Sequence, residues 1–224
     1  MRLSWKSVAV MAILGFPAII AIPLLTTTLT PPEFTLYAPD SHTTPYNTHP
    51  TDYLQLTLPA PPFLDLFHAL HDYLLPSVIK TRGEAHITVL TPPEFESIKD
   101  VVSIQELHDL MQQLHIQEQT NYTMVCLGKS TAKQIGDTYY VVVDAPYLTL
   151  ARQKIKKKVE ERGGQGAWET YHPHITIGFT KRDLFAQDGV VKDETSCWAD
   201  LIHPDQDIAQ DEDNTSEDEV NAQA

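Results

Sequence analysis

His86-Ile87-Thr88-Val89 and His174-Ile175-Thr176-Ile177 are two copies of one pattern, a histidine two residues before a threonine inside a short apolar run. Successive side chains of an extended strand alternate faces, so each His shares a face with its Thr. Ile87 and Val89, or Ile175 and Ile177, then enter the opposite layer. Each segment predicts a strand with an apolar underside that offers an imidazole beside a hydroxyl. Spacing alone is weak evidence, because 10 His and 23 Thr in 224 residues predict about one His-x-Thr by chance. A further instance, His42-Thr43-Thr44, lacks the apolar flanks and lies in the Thr/Pro-rich residues 39–50, so it is left out of the site.

Outward from these strands the order of elements repeats. Residues 53–58 alternate cleanly and stop at the prolines 59, 61 and 62, as a strand ending in a turn does. A helix is predicted from about Phe63, with Leu64, Phe67, Leu70, Leu74 and Leu75 near helical spacing and Pro76 at its end. The first His/Thr strand covers residues 84–90 and closes at Thr91-Pro92-Pro93. A second helix then carries Ile104, Leu107, Leu110, Met111 and Leu114 on one face. Strands near residues 122–127 and 138–144 flank a turn-prone stretch, 129–137. A third helix spans about 148–162, with Leu148, Ile155 and Val159 opposite the basic run 154–158 and a stop at Gly163-Gly164. The second His/Thr strand follows at residues 171–179. The chain thus reads strand, helix, His/Thr strand, twice over, which predicts an α+β fold. Two such lobes packed about an approximate two-fold would bring the His/Thr pairs together across a cleft.

Composition narrows the function classes. A hydrophobic fraction of 42% over 224 residues suffices for one core. The formal charge of −14 argues against a general nucleic-acid coat. Eight of the acidic residues fall between 205 and 219 with no Lys or Arg among them, so residues 201–224 are expected to form a disordered acidic tail. At the other end Arg2 and Lys6 precede a charge-free stretch from Ser7 to Pro32 with an apolar centre at 8–25. Residues 1–32 therefore predict a signal peptide or a membrane anchor. That places the protein in the secretory pathway, either membrane-anchored or secreted, with a linker at 33–50 before a domain at 51–200. The sequons Asn121-Tyr122-Thr123 and Asn214-Thr215-Ser216 fit that route. Cys126 and Cys197 form one disulfide in an oxidising compartment or stand as two buried thiols, and the sequence leaves both open. Oligomeric state is equally open.

Two imidazoles facing one bound group suit paired acid and base work, since an unperturbed histidine titrates near pH ~6.5. Neighbouring threonine hydroxyls supply donors for phosphoryl oxygens. This scheme calls for no metal and no cofactor. The stretch Tyr171-His172-Pro173-His174-Ile175-Thr176-Ile177-Gly178-Phe179-Thr180 resembles the second signature of the 2H phosphoesterase superfamily, and Ala85-His86-Ile87-Thr88-Val89-Leu90 resembles the first. The extension to Lys181-Arg182-Asp183-Leu184, with Asp188-Gly189-Val190 and Lys192-Asp193 beyond it, is most similar to the RNA-repair-like Swiss-army-knife branch found in fungi. The resemblance covers about residues 53–197. It implies a bilobal fold of two antiparallel sheets with flanking helices around a central cleft. It also implies hydrolysis or transfer at 2′,3′-cyclic or related phosphodiesters of an RNA end or nucleotide. By the same resemblance His86 and His174 are the acid-base pair and Thr88 and Thr176 the phosphate-oxygen donors, with the base unassigned between the two histidines. A catalytically silent nucleotide- or phosphate-binding module of the same fold is the competing reading.

Tyr171, His172 and Lys181 are candidate substrate contacts. Strand alternation puts His172 on the His174 face at the strand entrance, where a structural role competes with substrate contact. Lys181, followed by Arg182, meets either phosphate or solvent at the strand end. His68, His71 and Asp72 share a helix but lack a metal-binding pattern, and His108 and His115 read the same way. The Lys154–Lys158 run reads as the wet face of its helix. No Gly-x-Ser-x-Gly occurs, and Gly163-Gly164-Gln165-Gly166 lacks the Lys-Ser/Thr of a phosphate loop.

Overall fold

The computed structural model describes residues 33–36, 53–116 and 122–202. Residues 1–32, expected to form a signal peptide or membrane anchor, His42, both sequon asparagines and residues 203–224 lie outside them. No helix among the described residues is long and apolar enough to cross a membrane.

The order along the chain is β1 (Phe34–Thr35), β2 (Leu54–Leu58), α1 (Pro61–Leu74), β3 (Ala85–Leu90), α2 (Pro92–Ile98), α3 (Ile104–Gln113), β4 (Thr123–Ala132), β5 (Gly136–Asp144), α4 (Pro146–Glu161), β6 (His174–Phe179), β7 (Cys197–Ala199) and β8 (Leu201–Ile202). It is a mixed α/β fold of several sheets and helices. β2 and β3 pair antiparallel, β6-β5-β4-β7 form a four-stranded antiparallel sheet, and β1 pairs parallel with β8. The repeated order is real: β2-α1-β3 and β5-α4-β6 each end on a His/Thr strand that pairs antiparallel with the strand preceding its helix.

Alternation in both strands follows the sequence pattern. Ala85, Ile87 and Val89 of β3 and Ile175 and Ile177 of β6 are buried in the main core, while His86, Thr88, His174 and Thr176 stay partly open on the other face. The helices cross over between the halves, α1 packing on β6 and α4 on β3. β3 and β6 consequently lie close together although they belong to different sheets. Lys80, just before β3, adds a backbone tie. Its N–H donates to Phe179 O at 2.8 Å and its carbonyl accepts from Phe179 N at 2.9 Å. Gly178 permits this approach, because a Cβ there would lie 3.1 Å from Lys80 O, 3.2 Å from Ile79 Cδ1 and 3.3 Å from Phe67 Cδ2.

Four details differ from the sequence expectations. Thr91-Pro92-Pro93 closes the first His/Thr strand but also opens a helix, α2. Thr91 is its N-cap, the prolines take the first helical positions where no intrahelical N–H is needed, and Glu94 completes a capping box. The stretch 129–137 is mostly strand, since β4 and β5 run on as a hairpin whose turn is closed by Gly136 at φ 111°. The buried face of α1 is set by Phe63, Leu66 and Leu70, with Phe67 and Leu74 at its edge and Leu75 exposed. Finally, two short strands lie within the expected linker and the expected tail, where Phe34 pairs with Leu201 and Thr35 with Ile202. Two-residue strands are too short to show a period.

Cys126 and Cys197 are joined as a disulfide, which ties β7 to β4. With Tyr140 and Val142, Cys126 forms a small second buried cluster on the His174 face of the sheet.

Candidate active site

His86, Thr88, His174 and Thr176 line one cavity of about 330 Å³. The two short strands thus bring all four side chains to one space. In register, His86 lies opposite Thr57 and Thr88 opposite Gln55, while His174 lies opposite Val142 and Thr176 opposite Tyr140. Cross-strand partners share a face, so the site rests on a polar floor on one side and on the Tyr140-Val142 cluster on the other.

The two histidines stand in opposite electrostatic surroundings. Nδ1 of His86 lies 3.6 Å from the Glu84 carboxylate. Nδ1 of His174 lies 2.8 Å from the carbonyl oxygen of His172, which only accepts, so Nδ1 carries the proton and Nε2 presents its lone pair. Nε2 in turn lies 3.2 Å from the ammonium of Lys192. Burial and then the Lys192 charge push the His174 pKa well below the ordinary imidazole value. The imidazole is therefore neutral in the resting protein.

Lys192 reaches this position on the segment that covers β6. Its side chain is 6% exposed and its ammonium pairs with Asp183 Oδ1 at 2.9 Å. The other Asp183 oxygen accepts from the Thr176 hydroxyl at 3.1 Å and from Arg82 Nη2 at 3.4 Å. Burial draws the Lys192 pKa down, with Asp183 opposing the shift. The proton of Thr176 is thus committed to Asp183 in the resting site.

The other expected residues fall in different places. Tyr171 and His172 line an adjoining cavity of about 100 Å³ that shares Thr88 and His174 with the first and includes Lys192. His172 precedes β6 and is not part of it, so strand alternation does not orient it. Its carbonyl is the group that acts on His174. The Tyr171 ring lies under the Arg152 guanidinium, 4.4 Å away, and burial raises its phenol pKa. Lys181 is exposed, donates to Gln134 O at 3.0 Å and lines neither cavity. Arg182 pairs with Asp188 on the surface. Among the described residues no group of three His, Cys, Asp or Glu side chains is placed to hold a metal ion.

Sequence reasoning gave no role to Asp183, Lys192, Arg82 or the Glu94–Arg152 pair. Asp183 and Lys192 stood only as members of the extension that resembles the family, with Lys192 also a lone cation after Val190-Val191. Glu94, which caps α2, accepts from Arg152 Nη1 at 3.0 Å and Nη2 at 2.6 Å, from Thr91 N–H at 2.9 Å and O–H at 3.0 Å, and from Glu169 N–H at 3.1 Å. Burial would raise its pKa, but Arg152 and the Thr91 and Glu169 amides outweigh that and hold it below the usual carboxylate range. Arg152 also donates to Val89 O at 2.6 Å, which fixes the end of β3 against α4.

A family model described as the Swiss Army Knife, 2H phosphoesterase domain matches residues 52–185, a span that holds both His/Thr strands and Asp183. The chain belongs to this family. A search of curated proteins finds no match. Membership makes this 2H phosphoesterase a hydrolase of the phosphodiesterase type in general terms. Lys192 lies beyond the matched residues.

Proposed function

We propose that this 2H phosphoesterase hydrolyses 2′,3′-cyclic phosphates, or closely related phosphodiesters, at an RNA end or on a nucleotide, by two-histidine acid-base catalysis without a metal. The observation that carries the reading is the convergence of His86, Thr88, His174 and Thr176 on one cavity. The opposite surroundings of the histidines support one division of their roles. His174, neutral with Nε2 unprotonated, takes a proton from the attacking water as its oxygen bonds to phosphorus. His86, beside Glu84, is suited to enter as the imidazolium and to give its proton to the departing ribose oxygen as the P–O bond breaks. The product is a phosphomonoester with a free hydroxyl, and Thr88 faces the same cavity as a donor to phosphoryl oxygen. Tyr171 and His172 then border the adjoining space available to the rest of the substrate.

The test is turnover of a 2′,3′-cyclic-phosphate-ended oligonucleotide and of a 2′,3′-cyclic mononucleotide by the full chain in EDTA, beside His174→Ala. Turnover by the wild type that is lost in the variant supports the reading. Folded wild type inactive on both substrates refutes it.

We further propose that the domain works in the secretory pathway, membrane-anchored or secreted. The basic-then-apolar residues 1–32 and the Cys126–Cys197 disulfide support this placement, since such bonds persist in oxidising compartments. Protease protection of the domain in sealed microsomes tests it, and digestion without detergent refutes it.

A further inference from the structure

Lys192 is a buried cation beside His174 that the two-histidine scheme does not use. Its ammonium has three N–H bonds. One meets Asp183 Oδ1 at 2.9 Å, one points at His174 Nε2 at 3.2 Å, and the residue borders the smaller cavity beside His174. The rings of Tyr140 and Phe185, with centroids 5.2 Å and 5.9 Å from Nζ, stand around it. A purely structural tie of this segment to β6 already exists, because Asp183 accepts from Thr176. Burying an ammonium is costly, and a tie that Thr176 and Asp183 already make does not require one.

The resting hydrogen bonds pose two problems for catalysis. The Thr176 hydroxyl donates its hydrogen bond to Asp183, so it does not donate to a bound anion without rotating. Nε2 of His174 is capped by Lys192, so it cannot accept from water. One movement of the ammonium uncaps Nε2 and supplies the anion with the donor that Thr176 does not offer. We propose that Lys192 is a catalytic residue that leaves Nε2 of His174 to donate to a non-bridging phosphoryl oxygen, so that the arriving anion itself uncaps the base. This rests on the phosphodiesterase reading for the identity of the anion. Charge-assisted donors are the strong ones, and Lys192 remains held by Asp183 throughout. The charged and titratable groups around Lys192 are Asp183 and Asp188 on its own segment, Arg82 before β3, Tyr140 on β5 and His174 on β6, and His174 in turn feels His86 on β3.

The test uses inorganic phosphate as probe, with affinity read by ³¹P NMR and the His174 nitrogens by ¹H–¹⁵N spectra. In the wild type, phosphate is expected to shift the Nε2 resonance of His174 as the ammonium departs. K192M strands the buried Asp183 carboxylate and should lower the melting temperature, so it is compared well below its own transition; there it should bind phosphate roughly ten- to a hundredfold more weakly, and K192R should recover most of that affinity. On a cyclic mononucleotide K192M should lose kcat more than it raises KM. The acid limb of its pH profile should move up, because the cation no longer opposes protonation of His174. Equal phosphate affinity in wild type and folded K192M overturns the proposal. If K192M does not fold, the wild-type spectrum decides, and a His174 Nε2 resonance unmoved by saturating phosphate overturns it. Phosphate binding through Lys192 without turnover of either cyclic substrate would remove the phosphodiesterase reading and leave the lysine contact standing. Turnover unaffected by K192M would do the reverse.

Discussion

Replacing Arg152 by Met is expected to destabilise the domain by about 3–5 kcal/mol at pH 7, the cost of leaving one charge of a buried pair without its partner. Glu94 is 1% exposed and would lose two of the five hydrogen bonds it accepts, keeping those from Thr91 N–H and O–H and from Glu169 N–H. The Val89 carbonyl would lose its Arg152 donor as well. At about 2–4 °C per kcal/mol for a chain of this size, the melting temperature should fall roughly 6–20 °C. The pH dependence identifies the cause. In the wild type the Glu94 pKa is depressed, so its stabilisation is complete above the ordinary value of 4.5 and is lost as pH falls below that through the folded pKa. In R152M the carboxylate is buried without its cation, so protonation relieves it. The stability gap between the two proteins, measured by urea unfolding at pH 7, 5 and 3.5, must therefore narrow with acid. A gap under 1 kcal/mol at pH 7, or one independent of pH, would refute the assigned role. E94Q combined with R152M should recover part of the loss, since neither charge is then stranded.

Three further outcomes follow from single contacts. Gly178→Ala should cost about 1–3 kcal/mol by pushing β6 away from Lys80 and Phe67, and unchanged urea unfolding would contradict that contact. Replacing Cys126 and Cys197 together by serine removes a crosslink spanning 71 positions and should cost up to ~4 kcal/mol in the same assay, with an unaltered midpoint as the contrary result. His86→Ala should lower kcat on a cyclic mononucleotide by ~10²–10⁴ at an unchanged melting temperature, and a loss below tenfold would remove it from proton transfer.

The parts of the fold that were legible in the sequence are those fixed by local periodicity. Alternation at 85–90 and 174–179 identified the buried and open faces of β3 and β6, and the repeated order β2-α1-β3, β5-α4-β6 could be read in full. α2 was legible in principle, because Thr91 and Glu94 stand at capping-box spacing around two prolines. Its seven residues are too few for a helical stripe, and the prolines read equally well as a strand stop. The β4–β5 hairpin extends past the core with polar residues, so hydropathy gave no sign that pairing continues to Ala132. The remaining site residues depend on tertiary placement. Asp183 and Lys192 meet β6 only because the covering segment folds back over it, and Arg152 reaches Glu94 across 58 positions. No spacing rule links such pairs. Lys181 illustrates the converse, since a cation next to the signature strand turns to the β4–β5 turn instead of the cavity.

The pH dependence of kcat/KM on a 2′,3′-cyclic mononucleotide, measured with the wild-type chain in EDTA, tests the two-histidine account most directly. His174 must be neutral to act as base, and its pKa is depressed, so activity should persist below pH 6.5 and fall only at distinctly lower pH. His86 must be protonated to act as acid, so activity should fall again on the alkaline side. The account predicts this bell, displaced toward acid on its lower limb. A flat profile, or one that rises steadily with pH, would contradict it.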